Sequence, residues 1–212
     1  AYISKRTFPA DKKIIILSAT VNKFMWESLY PDQVHFHDIG QVENQGMLVQ
    51  YTEQSFSRTF FDENPEHINS LSAFLGPTSV ITFKKHANKF QNCIATFGNL
   101  AGLDKFSGKD LAIVGTPHIN PAVYLLYAKA LGLPTEGIAT NLSRREIVYN
   151  GLQFKFQTYA TNSALQKLQC ALIETELLQA IGRARLIRNS CTVTVFSNFP
   201  VQGATYKLQK GE

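Results

Sequence analysis

Cysteine is scarce in this chain: Cys93, Cys170 and Cys191 are its only three, and they stand far apart in 212 residues. An odd, scattered set forms neither a disulfide framework nor the paired spacing of a zinc knuckle, and it reads as buried thiols in a reducing compartment. Long apolar runs are lacking too. Stretches such as Ile14 to Leu17 and Val123 to Leu126 fall far short of the roughly 20 residues that a membrane-spanning helix needs. No charged-then-apolar leader opens the sequence, so a soluble, intracellular protein is expected, cytoplasmic and without a membrane partner. Internal repeats and low-complexity linkers are also missing, which excludes a solenoid or a tethered multidomain array. There is no Gly-x-x-x-x-Gly-Lys-Ser/Thr loop. Gly108-Lys109 is followed by Asp110 and lacks the upstream glycine at the required distance, so the chain carries no nest of backbone amides plus lysine for the β and γ phosphates of a nucleotide.

What is present fits a folded α/β unit. The composition is 44% hydrophobic and 17% charged, enough for one globular domain with a sizeable core. A formal charge of +5 and a pI near 9.1 permit contact with a polyanion, and are also common in proteins that never meet one. Ile14-Ile15-Ile16-Leu17 is too short for a helix and rich in β-branching, so it reads as a strand buried on both faces. Similar runs recur at Met47 to Tyr51, Ser79 to Phe83, Leu111 to Val114 and Thr192 to Phe196, with helical segments between several of them. That rhythm predicts βαβ units and a mostly parallel sheet with helices on both faces. Pro121 to Gly132 opens on proline and closes on glycine, as helices do. Asn150-Gly151, between Ile147-Val148-Tyr149 and Leu152 to Tyr159, predicts a two-residue hairpin inserted into that pattern. A long helical stretch follows from about Asn162 to Arg188.

The strongest chemical signal closes that stretch. Gln179-Ala180-Ile181-Gly182-Arg183-Ala184-Arg185-Leu186-Ile187-Arg188 places three rigid guanidinium forks on or near a helix, a geometry suited to phosphate oxygens. The plain alternative is a basic helix end, whose arginines complement the negative end of the dipole. The segment resembles the sixth motif of superfamily 2 helicases, a Gln, two spacers, Gly-Arg, two spacers and Arg. Gln179, Gly182 and Arg183 fall in register, whereas Leu186 stands where the last arginine belongs and Arg185 and Arg188 flank it. In that family such arginines reach across to ATP held by the preceding domain and stabilise charge on the transferred phosphoryl group.

Other segments resemble the same family in the same order. Ser18-Ala19-Thr20 matches its third motif, which couples the nucleotide to the nucleic acid; a strand-end turn or cap is the structural alternative. Lys84-Lys85-His86 after the strand Ser79 to Phe83 resembles the fourth motif, whose strand end touches backbone phosphates, and a solvated basic helix cap is its alternative. Phe97-Gly98-Asn99-Leu100-Ala101-Gly102-Leu103-Asp104 resembles the fifth, where glycine allows close backbone approach and an acidic residue meets the ribose; a surface turn would need the same residues. The resemblance implies a RecA-like (P-loop NTPase-like) fold, with residues 1–30 ending a first such domain and 31–212 forming a second. It implies ATP and Mg2+ held mainly by an upstream ATP-binding domain. Gly102, Asp104 and Gly182 would approach the nucleotide, Lys84, Lys85 and Asn99 the nucleic acid, and Ser18, Ala19 and Thr20 would couple the two. Gln179, Arg183, Arg185 and Arg188 are the catalytic candidates. Single- or double-stranded nucleic acid is the implied partner, DNA favoured over RNA.

Lesser candidates carry plainer readings. Asp62-Glu63-Asn64-Pro65 reads as a helix start, with acidic residues and proline in the first turn. Phe24 and Trp26 read as core or interface packing. His35 and His37 alternate on a predicted strand without a third ligand, so no metal site is expected. Ser55, Ser57 and Arg58 suit either a phosphate contact or a polar loop. Two functions of different class follow: the motor half of an ATP-dependent helicase or translocase, inactive as this chain alone, or a RecA-like module that binds nucleic acid or protein without catalysis.

Overall fold

A computed structural model describes residues 8–207 except 10, 19, 39, 41, 101, 103–105 and 136–140. Six strands form one sheet: β1 (Met47–Tyr51), β2 (Ser79–Thr82), β3 (Cys93–Thr96), β4 (Leu111–Val114), β7 (Thr192–Phe196) and β8 (Thr205–Lys207), in the order β3-β2-β4-β7-β1-β8. Every pairing in it is parallel. The hairpin of β5 (Ser143–Tyr149) and β6 (Leu152–Thr158) stands apart as a two-stranded antiparallel unit. Asn150 (φ 51°) and Gly151 (φ 77°) both take the left-handed backbone that a primed two-residue turn demands.

Strand alternation divides the core into two faces. Ile81, Leu111, Ile113, Val193 and Val195 pack beneath α5 (Ala164–Gly182) together with its Ile173, Leu177 and Ala180. Val80, Ala112, Val114 and Phe196 point the other way, onto Phe61 of α2 (Arg58–Glu63) and onto Ile68, Leu71 and Leu75 of α3 (Pro65–Leu75). Helices therefore cover both faces, and the central strand β4 is buried throughout. Each large apolar side chain so buried contributes about 1.5–3 kcal/mol. A third cluster joins Tyr124 and Ala128 of α4 (Pro121–Ala130) to Leu165 and Leu168 of α5, with Phe24, Met25 and Leu29 of α1 (Lys23–Leu29) packed against it.

Local chemistry sets the helix starts. Pro121 follows the cap Asn120, whose Oδ1 accepts from Ala122 N at 2.9 Å. Ser163 Oγ accepts from Gln166 N at 3.1 Å while Gln166 Oε1 accepts from Asn162 N at 2.7 Å, a reciprocal arrangement close to a capping box. No helix among the described residues is long and apolar enough to cross a membrane.

Four expectations need correction. Ile14 to Leu17 is not a strand: it pairs with nothing among the described residues, and Ile15 and Leu17 are 77% and 93% exposed. A doubly buried strand needs neighbours on both sides and covering layers, and the sheet of residues 47–207 is completed without it. The long helix stops at Gly182 instead of Arg188, and Arg185 takes φ 54°, which ends the helical path. Asp62 and Glu63 finish α2, and only Pro65 and Glu66 occupy the first turn of α3. His35 and His37 lie on irregular chain, exposed, so strand alternation does not align them.

Candidate functional site

Because α5 leads directly into the parallel strand β7, it runs back along the sheet and delivers its end to the amino edge of the strands. The turn after Gly182 is clamped there from two sides. Leu186 O accepts from Gln45 N at 2.9 Å and from Gly46 N at 3.1 Å, just before β1; Ala184 O accepts from Gly108 N at 3.0 Å, just before β4. Asn189 Nδ2 donates to Ser107 Oγ at 3.2 Å and to Arg185 O at 3.1 Å, and Asp110 Oδ1 accepts from Thr192 N at 2.8 Å. Gly46 is required by this closeness, since a Cβ there would collide with the carbonyl oxygens of Cys191 and Asn189.

Within the turn, Leu186 is 5% exposed and belongs to the core beneath α5. Its place in the arginine pattern is thus filled by packing, while Arg185 and Arg188 on either side are exposed. Arg183 is half-buried, and its Nε is enclosed without a hydrogen-bond partner among the described residues. Gln179 is half-buried one turn earlier; Gly182 is exposed, and a Cβ there would meet nothing. Gly102 takes φ 71° in open space, and Asp104 lies outside the described residues. The chain that continues from Gly102 nevertheless arrives, at residues 106–110, against the arginine turn.

The opposite edge, at the carboxyl ends of the strands, gathers another set. Lys84 and Lys85 open a short 3-10 helix (Lys84–Lys89) after β2, and Asn99 follows the neighbouring β3. Lys85 Nζ lies 2.7 Å from Asp62 Oδ1, and this hydrogen bond, with the charges of Lys85, His86 and Arg58, lowers the Asp62 pKa despite some desolvation. Lys85 therefore already has a counter-ion, whereas Lys84 is exposed and forms no ion pair among the described residues. His86 Nε2 is 3.3 Å from the same carboxylate but out of line for a hydrogen bond; burial pushes its pKa down. Gly98 N donates to Glu176 Oε1 at 2.6 Å, tying the Asn99 loop to the middle of α5.

Along that same edge, beyond β4, β7 and β1, hydroxyls converge. Thr116 Oγ1 lies 2.6 Å from Ser55 O, 2.8 Å from Ser197 Oγ and 3.1 Å from Asn198 Oδ1. Ser57 caps α2, and Arg58 sits 5.3 Å over the Phe83 ring. Nearby, Gln169 is fully buried; Thr158 Oγ1 donates to its Oε1 at 2.7 Å, and its Nε2 lies 3.0 Å from Gln157 O and 3.3 Å from His118 Nδ1. A carbonyl can only accept, so the amide nitrogen faces both groups and His118 Nδ1 is the acceptor. The imidazole is neutral with its proton on Nε2. Burial, with the ring stacked 4.9 Å from Phe156, pushes its pKa down to about 4.

The chain matches no protein-family model, no curated protein and no solved structure.

Among the described site residues, Gln179, Gly182, Arg183, Arg185 and Arg188 gather at the turn that ends α5, and Lys84, Lys85 and Asn99 follow the carboxyl ends of β2 and β3. Ser18 and Thr20 join neither: Thr20 N donates to Ser18 Oγ at 3.2 Å in an exposed turn, and Ala19 lies outside the described residues. Trp26 stacks with Phe8 and Tyr30 at 6.2 and 6.0 Å. No group of three metal-ligating side chains exists among the described residues. Burial pushes the Cys170 thiol up to about 12, which leaves it inert. Sequence reasoning missed the Thr116, Ser197 and Asn198 cluster. The available signal was a small polar residue within two positions of the end of each of two buried apolar strands, the place where open parallel sheets present ligand contacts.

Proposed function

We propose that this chain is the arginine-bearing half of an ATP-driven nucleic-acid motor of RecA-like fold, a helicase or translocase of superfamily 2 type. The observation that carries the reading is the junction of residues 106–110 with the turn 184–189. There the chain that follows the fifth-motif-like segment 97–104 packs against the turn that carries the sixth-motif-like arginines, while Lys84 and Lys85, which resemble the fourth motif, follow the carboxyl end of β2. ATP and Mg2+ would be held mainly by an upstream ATP-binding domain, because this chain has no phosphate nest. Arg183 would meet the γ-phosphoryl group with Arg185 or Arg188 beside it, Gln179 and Gly182 shaping the approach and Gly102 and Asp104 facing the sugar. Lys84, Lys85 and Asn99 would contact the backbone of DNA in preference to RNA. A half-buried guanidinium whose Nε has no hydrogen-bond partner among the described residues suits a phosphate that arrives from outside the chain.

Leu186 favours a second reading. Its burial in place of the last arginine fits a RecA-like module that binds nucleic acid or protein without catalysis.

Titrating the purified chain against single-stranded oligonucleotides of differing sequence tests the shared part of both readings. Weak binding, indifferent to sequence, should fall steeply between about 50 and 200 mM salt, with a slope of about 0.7 per phosphate contacted. The chain alone should turn over no ATP. Salt-independent binding, a demand for one sequence, or ATP turnover by the isolated chain would each contradict the reading.

A further inference from the structure

The hairpin carries charge that none of the resemblances accounts for. Arg144, Arg145, Glu146 and Lys155 line an open cleft of about 370 Å³. Glu146 stands directly across from Lys155 in the ladder, the arrangement that usually makes a cross-strand ion pair. It makes none: Glu146 Oε1 instead accepts from Gln153 Nε2 at 2.6 Å, and among the described residues Arg144, Arg145 and Lys155 form no ion pair. Glu174 of α5 is occupied at the hairpin tip, where it accepts from Tyr149 Oη at 2.8 Å and from Asn150 Nδ2 at 2.6 Å. Arg145 faces the inner side, opposite Phe156, and its Nε is buried with no hydrogen-bond partner among the described residues. Three cations against one engaged carboxylate, one of them partly desolvated, make a cleft that an anion would complete.

Position narrows the kind of anion. Asn198 Nδ2 donates to Lys155 O at 3.4 Å, and Asn198 belongs to the polar cluster of Ser55, Thr116 and Ser197 at the carboxyl edge. The cleft therefore continues the edge that carries Lys84 and Asn99 at its far end. Exposed Gln153 and Gln157 flank it with neutral donors. Spaced cations with amide donors along one edge match a repeating phosphodiester chain better than a single compact anion.

We propose that the β5–β6 hairpin is a second phosphodiester-binding surface, taking the backbone of a single strand whose other contacts lie at the ends of β2 and β3. The inference rests on the nucleic-acid part of the proposed function and adds a site to it. Arg144 and Lys155 are exposed, so replacing them leaves the core intact. Fluorescence anisotropy of a labelled oligo-dT with the full chain compares the unaltered protein, Arg144→Gln/Lys155→Gln and Lys84→Gln across a salt series. The hairpin variant should bind about tenfold more weakly, and its salt slope should shrink by about 0.7 for each contact removed. Lys84→Gln should lose affinity independently of it. Unchanged affinity and slope in the hairpin variant, with Lys84→Gln still weakened, would sink the hairpin site and leave the strand-end reading standing. Absence of binding by the unaltered chain would sink both. Displacement of oligo-dT by polyglutamate as readily as by unlabelled oligo-dT would overturn the assignment to a phosphodiester.

Discussion

Leu186 and Arg183 sit three residues apart and divide the arginine turn between packing and chemistry. Leu186 is drawn into the core, and its carbonyl is bonded by Gln45 and Gly46; Arg183 is held on the turn with a guanidinium nitrogen that nothing described satisfies. Gly46 is the residue on which this division depends, because its missing side chain lets the strand β1 begin against the turn. Gly46→Ala would drive a methyl group into backbone oxygens of Asn189 and Cys191, which cannot yield as a flexible side chain would. The variant should lose about 1–3 kcal/mol of stability, measured by urea unfolding. It should also weaken any function of the arginines by shifting the turn. Gly182→Ala, where a Cβ meets nothing, should cost the fold nothing measurable and is the matched control.

The helix α5 organises the remaining elements. Its start holds His118 and the base of the hairpin through Gln169, its middle holds the hairpin tip through Glu174 and the Asn99 loop through Glu176, and its end presents the arginines. One consequence is a pH dependence. His118 is held near a pKa of about 4, below its ordinary 6.5, so between those values the unfolded chain binds more protons than the folded one. Stability should therefore rise with pH through that window and fall as the solution is acidified from about 6.5 toward 4. Denaturation across this range should give a shallower slope for His118→Asn; the buried His86, shifted in the same direction, should retain the rest. An unchanged slope in that variant would contradict the neutral, amide-bound imidazole. Much of this architecture was legible in the sequence, because buried strands such as Leu111 to Val114 and the Asn150-Gly151 turn carry their own local signals. Ile14 to Leu17 misled for the same reason: its residues have strand character, but only neighbouring strands can make a strand of it. The end of α5 was misplaced because Ala184 to Ile187 continues a helical pattern that a positive φ at Arg185 interrupts. Gln169, His118 and the hydroxyl cluster were illegible, since their partners lie across the fold.

Across the whole molecule, one sheet carries an arginine turn at the amino ends of its strands and a line of cations and polar groups at their carboxyl ends, and α5 contacts both. In a motor of the proposed kind the first would answer to a nucleotide carried by another domain and the second to a strand. Arg183 is where that account is most exposed to test. An arginine that engages the phosphoryl group as charge moves in the transition state should affect turnover far more than ground-state binding. The measurement is nucleic-acid-stimulated ATP hydrolysis by this chain joined to the upstream ATP-binding domain proposed for it, comparing Arg183→Ala and Arg183→Lys with the unaltered protein. Both variants should lose about a thousandfold or more in turnover and keep strand affinity, since lysine cannot reproduce the planar fork. The same changes at Arg185 and Arg188 should reproduce that loss at only one of the two. Near-normal turnover in Arg183→Ala would contradict the motor and leave the non-catalytic module in its place.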